Sequence, residues 1–204
     1  MIKLYHAPLT RSVRIYWLLE ELGLSYELAT VPFQSGTIPF GQATPIGKLP
    51  SIEDGDLTMF ESGAILEYII ERHGNGRLAP RPGSPLRGPY LQWVHFAEAT
   101  AFPPLGNLAW HLFFKKDAEK VPSAIADYRS WAAAALRVVE AALAGREYLL
   151  ESGFSGADIM MGFTLECAKL LGTLTDEFPK TTAYLKRLEA RPAFQKAALT
   201  PTKE

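Results

Sequence analysis

The stretch Leu49-Pro50-Ser51-Ile52-Glu53-Asp54-Gly55-Asp56-Leu57-Thr58-Met59-Phe60-Glu61-Ser62 reads as strand, turn, strand and helix start. Apolar residues flank Asp54-Gly55-Asp56, a glycine-containing hairpin turn. Ser62 is a natural N-cap, and beyond it Ile65, Leu66, Ile69 and Ile70 fall on one side of a helix expected to run to His73, with Gly74 as its C-cap. Upstream, Ile2–His6 is short and β-leaning. Thr10–Leu22 carries Val13, Tyr16, Trp17 and Leu19 to Leu22 at helical spacing, and Gly23 ends it. Tyr26–Val31 is a second strand, closed by Pro32. The order β-α-β, then β-β-α, implies a small mixed sheet covered by helices.

Between Gly74 and Pro89 the chain holds four glycines and four prolines, the composition of an interdomain connection. Helical patterns follow it throughout. Tyr90–Phe114 is one long pattern with a kink expected at Pro103-Pro104. Tyr128–Ala144, Ser155–Leu171 and Thr181–Ala190 come next, and Pro192 marks a break. Phe154-Ser155-Gly156-Ala157-Asp158-Ile159 has the form of a capping box, with Asp158 three residues after the Ser155 N-cap. The expected organisation is an α/β domain over 1–78, a linker over 79–86 and an all-helical domain over 87–204.

Composition narrows the function. The 204 residues carry 21 basic and 22 acidic side chains, a net charge of −1, which gives no sign of nucleic acid or an acidic membrane surface as a partner. The single cysteine, Cys167, excludes an internal disulfide, a CxxC redox pair and a thiolate metal site. It falls on an apolar stripe with Phe163 and reads as core in a reducing, cytoplasmic protein. His6, His73, His95 and His111 show no metal-ligand spacing, and neither nucleotide-binding glycine fingerprint is present. No stretch approaches the roughly 20 apolar residues of a spanning helix, so no membrane partner is expected.

Three short segments could carry chemistry. Thr10 and Ser12 sit where the first strand feeds the first helix, where free amides and the helix dipole favour an anion. Either hydroxyl can be an ordinary cap or a donor to a thiolate held over the helix end. Leu49-Pro50 opens the third strand; the residues alone favour a trans bond, since only about 5% of X–Pro bonds are cis, and a cis bond there would present Leu49's backbone to an extended peptide. Glu61-Ser62 opens the next helix, and its amides and carboxylate match a zwitterionic amino-acid head.

In this order the motifs resemble the cytosolic glutathione S-transferases over about Ile2 to Arg191. The resemblance rests on Thr10-Arg11-Ser12-x-Arg14-x-x-Trp17-Leu18-Leu19-Glu20-Glu21-Leu22, Pro45-Ile46-Gly47-Lys48-Leu49-Pro50 and Phe60-Glu61-Ser62-Gly63-Ala64-Ile65. Trp93-x-x-Phe96-Ala97-Glu98 and Ser155-x-x-Asp158-Ile159 extend it into the second half. The first block is most similar to the bacterial and fungal Gtt1-like branch, with Thr10 where that branch has serine. The resemblance implies a thioredoxin-like first domain, an all-α second domain and a homodimer.

It also implies glutathione as co-substrate, with no further cofactor. Leu49 before a cis Pro50 would pair with the cysteinyl part, Glu61 and Ser62 would hold the γ-glutamyl head, and Lys48 would lie near the glycyl carboxylate. Thr10 or Ser12 would activate the sulfur, with Tyr5 a third candidate. A hydrophobic electrophile would sit near Phe102, Leu105 and Trp110. Conjugation, with peroxidase chemistry as a variant, is the expected activity. A non-catalytic binding or regulatory protein of the same fold is the alternative.

Overall fold

The computed structural model describes residues 1–31 and 47–198. Pro32 and Pro45-Ile46, singled out above, lie outside them. By its contacts the chain divides into one unit of Met1–Ala79 with Glu189–Glu204 and a second of Pro80–Leu188.

The first unit holds a four-stranded sheet in the order β2-β1-β3-β4, with β1 (Ile2–His6), β2 (Tyr26–Thr30), β3 (Ser51–Asp54) and β4 (Leu57–Phe60). β1 and β2 run parallel from Ile2↔Tyr26 to His6↔Thr30. A parallel pair needs a crossover, and α1 (Ser12–Leu22) supplies it. β3 pairs antiparallel with both β1 and β4. Asp54↔Leu57 closes the hairpin, leaving Gly55 and Asp56 as a two-residue loop with Gly55 at φ 63°. α2 (Ser62–His73) follows and buries Ile65, Leu66, Ile69 and Ile70, the stripe its sequence spacing predicts.

β1 alternates: Ile2, Leu4 and His6 are buried, while Lys3 and Tyr5 on the other face are partly exposed. That period-two pattern decides which β1 side chains meet α1. The His6 ring packs edge-on against Tyr16 of α1 at 5.2 Å. α1 stops at Gly23, whose φ of 61° and N–H bond to Glu20 O, with Leu24 N–H on Leu19 O, make a left-handed helix end. Gly74 ends α2 differently, at φ −76°; a Cβ there would fall 2.4 Å from Ile70 O.

α1 is buried around most of its circumference, Val13, Ile15 and Trp17 to Leu19 included. A further helix, which the sequence reading stops short of, covers part of it. Pro192 opens α8 (Pro192–Ala198; α3 to α7 are given below) rather than breaking the fold, because the first helical position tolerates proline's missing N–H. Phe194 meets Trp17 edge-on at 4.9 Å. Arg191 grips both oxygens of Glu21 at 2.6 and 2.8 Å, and Lys196 reaches Glu20 at 2.7 Å. The expectation places everything from residue 87 onward in the helical domain, whereas by its contacts α8 groups with α1.

The second unit is helical among the described residues. The expected single helix over Tyr90–Phe114 is α3 (Arg87–His95), a π-helical stretch (Phe96–Ala101), α4 (Phe102–Ala109) and a second π stretch (Trp110–Phe114). Pro103 and Pro104 sit in the first turn of α4, directly after the widened turns. α5 (Pro122–Ala142), α6 (Gly156–Leu170) and α7 (Pro179–Glu189) complete the unit. The capping box forms as its sequence predicts: Asp158 accepts from Ser155 N–H, Ser155 Oγ, Leu149 N–H and Tyr184 Oη within 3.0 Å. Cys167 is only half-buried, not sealed in the core.

Phe194→Ala removes a ring that is 5% exposed against Trp17. It is expected to destabilise the protein by about 3–5 kcal/mol in urea unfolding; a loss below about 1 kcal/mol would show that α8 contributes little to the first unit.

Candidate functional site

A cleft of about 250 Å³, its open mouth included, lies within the first unit. Lys48, Leu49 and Pro50 line it ahead of β3, and Glu61 and Ser62 line it at the start of α2. Arg11 and Phe60 complete the lining. All five residues expected to bind the peptide are therefore together.

The Leu49–Pro50 bond is cis, the isomer implied by the resemblance and disfavoured by the residues alone. Leu49 is 5% exposed, packed with Ala7, Tyr5 and Val31. It stands ahead of β3, whose paired register begins at Ser51.

Glu61 takes φ 72° and ψ 110°, a conformation that costs a non-glycine residue about 1–3 kcal/mol. It leaves the carboxylate exposed at the cleft and puts Ser62 at the head of α2. No acidic residue occupies the first turn of α2, so the positive end of its dipole is open to an anion. Behind Ser62 lies Arg14, wholly buried, donating from Nη1 to Ser62 Oγ at 3.0 Å. A helix end and a guanidinium at one wall, with a carboxylate beside them, suit the carboxylate and ammonium of an α-amino acid.

The α1 end carries a second feature. Ser12 is fully buried, and Thr10 is half-buried one residue before Arg11. Their hydroxyl oxygens are 2.6 Å apart. Thr10 Oγ1 donates to Ala7 O at 2.7 Å and accepts from Ser12 N–H at 3.3 Å. Ser12 Oγ accepts from Ala7 N–H at 3.2 Å and lies 2.8 Å from His6 Nδ1. Ser12 is thus buried and does not line the cleft. Tyr5, on the opposite face of β1 from His6, donates to Glu53 Oε1 at 2.6 Å. That bond, with some desolvation, raises the Tyr5 pKa and holds its proton. Burial lowers the His6 pKa to about 4, keeping the ring neutral.

The family described as "Glutathione S-transferase, N-terminal domain" matches residues 1–71, and "Glutathione S-transferase, C-terminal domain" matches residues 103–192. The chain belongs to the glutathione S-transferase family. The glutathione S-transferase-like protein OpS6 of Beauveria bassiana is 32% identical over 210 residues, covering 98% of this chain and 95% of its own. Glutathione S-transferase 3 of Schizosaccharomyces pombe is 28% identical, with 97% and 87% covered. The glutathione transferase URE2P6 of Phanerochaete chrysosporium, solved with oxidized glutathione, superposes with a TM-score of 0.85 at 32% identity, covering 96% of this chain and 94% of that one. A family member from Pseudomonas fluorescens with two glutathione bound gives a TM-score of 0.85 at 29% identity, with 98% and 93% covered.

The three residues of this transferase expected to meet an electrophile lie on or beside α4 in unequal settings. Leu105 is 2% exposed and packs in the helical core; its helical spacing did not reveal which face turns inward. Phe102 is partly buried and stacks on Phe163 at 5.9 Å. Trp110 is 50% exposed and stacks on Phe114 at 5.4 Å. Four residues at or behind the site were missed as candidates: Arg11, Phe60, Arg14 and His6. Arg14, an arginine amid the apolar residues of α1, carried the clearest sequence signal. Among the described residues no group of three or more His, Cys, Asp or Glu is placed to hold a metal.

His6 yields a test of its burial. Its folded pKa lies below the unfolded value, so the folded state binds fewer protons and stability is lost as pH falls from about 6.5 to about 4. Over that window wild type is expected to lose up to about 3 kcal/mol more than His6→Asn, read by urea unfolding at each pH; identical slopes would mean the ring is solvated.

Proposed function

We propose that this glutathione S-transferase ionises the thiol of bound glutathione with the Thr10 hydroxyl, over the N-terminus of α1. The supporting observation is the split between the two hydroxyls: Ser12 is sealed inside, while Thr10, 2.6 Å away, is half-exposed beside the cleft residue Arg11. Leu49 pairs through its backbone with the cysteinyl segment, as an added strand would. The α2 amides and Ser62 hold the γ-glutamyl carboxylate, Glu61 faces its ammonium, and Lys48 meets the glycyl carboxylate.

The energetics suffice without a protein base. Lowering a thiol pKa from about 8.5 by two units needs about 2.7 kcal/mol. A hydroxyl donated to a charged acceptor contributes about 1.5–3 kcal/mol. A helix N-terminus adds up to about 1 kcal/mol, and no acidic residue in the first turn of α1 opposes it. Ser12 N–H on Thr10 Oγ1 helps orient the β-branched side chain that replaces the branch's serine.

The thiolate sulfur attacks an electrophilic carbon and the leaving group departs with the bonding electrons. Toward a hydroperoxide the same thiolate would attack the distal oxygen, forming glutathione sulfenic acid and releasing an alkoxide; the thiol of a second glutathione would then displace that oxygen as water to give glutathione disulfide. Trp110 and Phe102 are the apolar faces proposed for the electrophile; Leu105 is not. A cytoplasmic detoxifying homodimer of the Gtt1-like branch is the setting we infer. The single cysteine supports the reducing compartment and the Thr10–Leu22 block supports the branch; the homodimer rests on the family resemblance.

Conjugation of a chlorinated nitrobenzene tests the donor. Thr10→Ala is expected to lower kcat/KM by about 10- to 100-fold, Thr10→Ser to retain most activity, and Tyr5→Phe to stay within about twofold of wild type. Unchanged activity in Thr10→Ala would refute the assignment.

A further inference from the structure

The contacts of Thr10 continue inward, and their proton directions can be counted. Ala7 N–H can only donate, so it occupies one lone pair of Ser12 Oγ, 3.2 Å away. Ala7 O can only accept, and at 2.7 Å from Thr10 Oγ1 it takes the Thr10 proton. Ser12 Oγ also lies 3.1 Å from Ala7 O, but the shorter 2.6 Å contact between the two hydroxyls still needs a proton, and with the Thr10 proton on Ala7 O that proton is Ser12's. Ser12 then has no proton for His6 Nδ1, 2.8 Å away, so the ring donates there. His6 is neutral and 1% exposed; its one ring proton is on Nδ1, and Nε2, a bare lone pair, finds no partner among the described residues.

We propose that His6 and Ser12 are positioning residues for Thr10: a buried donor chain, His6 Nδ1–H to Ser12 Oγ and Ser12 O–H to Thr10 Oγ1, leaves the Thr10 proton as its outgoing end, directed at a ligand sulfur. The proposal rests on the Thr10 reading above and adds what lies behind it. With the chain in this order, Thr10 Oγ1 already receives a proton from inside. Turning its own O–H from Ala7 O to a sulfur exchanges a neutral acceptor for a charged one. Donation into Thr10 from Ser12 polarises the outgoing bond, and donation from His6 polarises Ser12 in turn. The opposite order, with Ser12 donating to His6, would leave a buried ring N–H without an acceptor and would remove the inner donor to Thr10.

The chain predicts the pKa of the bound thiol, read from the near-ultraviolet absorbance of the thiolate in the glutathione complex across pH. Ser12→Ala and His6→Phe are each expected to raise it by about half a unit to one unit and to lower kcat below neutral pH. KM for glutathione should move less than about twofold, because neither residue touches the peptide. His6→Asn, whose amide N–H can stand where Nδ1–H stood, is expected to restore much of the wild-type value. If Thr10→Ala raises the thiol pKa while Ser12→Ala and His6→Phe leave it unchanged, the chain is refuted and the Thr10 reading survives. If Thr10→Ala leaves it unchanged as well, both fall. Nitrogen-15 NMR of the wild-type protein decides the direction even if the variants do not fold: a pyrrole-type nitrogen at His6 Nδ1 and a pyridine-type at Nε2 support the chain, and the reverse overturns it.

Discussion

The buried hydroxyl of Ser12 ties together the end of β1, the turn that follows and the first turn of α1. It accepts from Ala7 N–H and lies within hydrogen-bond distance of His6, Thr10 and the Ala7 carbonyl. Buried polar groups are nearly always hydrogen-bonded, and these partners all lie within six residues of Ser12. The same contacts set where Thr10 stands relative to the α1 N-terminus. Local backbone geometry and the chemistry proposed for the site thus share one hydroxyl.

Around that point the first unit assembles from opposed requirements. The α1 N-terminus must stay free of acidic side chains to favour a thiolate, and α1 meets this. Its far end is negative and is met instead by cations, Arg191 on Glu21 and Lys196 on Glu20. The helix is anchored at the end away from the chemistry by α8, with Trp17 against Phe194. Arg14 links α1 to the α2 N-terminus through Ser62. The proposed sulfur end and the proposed γ-glutamyl end of the site are therefore held by residues of one helix.

Much of this was legible in the sequence, because the relevant signals are local. Period-two alternation marked β1, Asp54-Gly55-Asp56 marked the hairpin, and apolar spacing marked α1 and α2. Lys48, Leu49, Pro50, Glu61 and Ser62 fall in one cleft because they flank strand and helix starts. What escaped depends on packing. Thr10 and Ser12 are two residues apart with the same chemistry, and only burial separates them. Leu105 and Trp110 share an apolar pattern, yet one faces the core and the other stands half exposed. α8 is seven residues long and opens on proline, so it holds no more than two turns of periodic signal; its partner Trp17 lies 177 residues upstream of Phe194. His6 carries no metal-ligand spacing, and its contact with Ser12 arises only when α1 folds back beside β1.

The central claim concerns where the sulfur rests. A crystal structure of the glutathione complex measures this directly. The account predicts the sulfur within about 3.5 Å of Thr10 Oγ1, at charge-assisted hydrogen-bond range, with Ser12 still buried and Tyr5 Oη still on Glu53. A sulfur bound instead by Tyr5, or by a Ser12 drawn out to the surface, would contradict it.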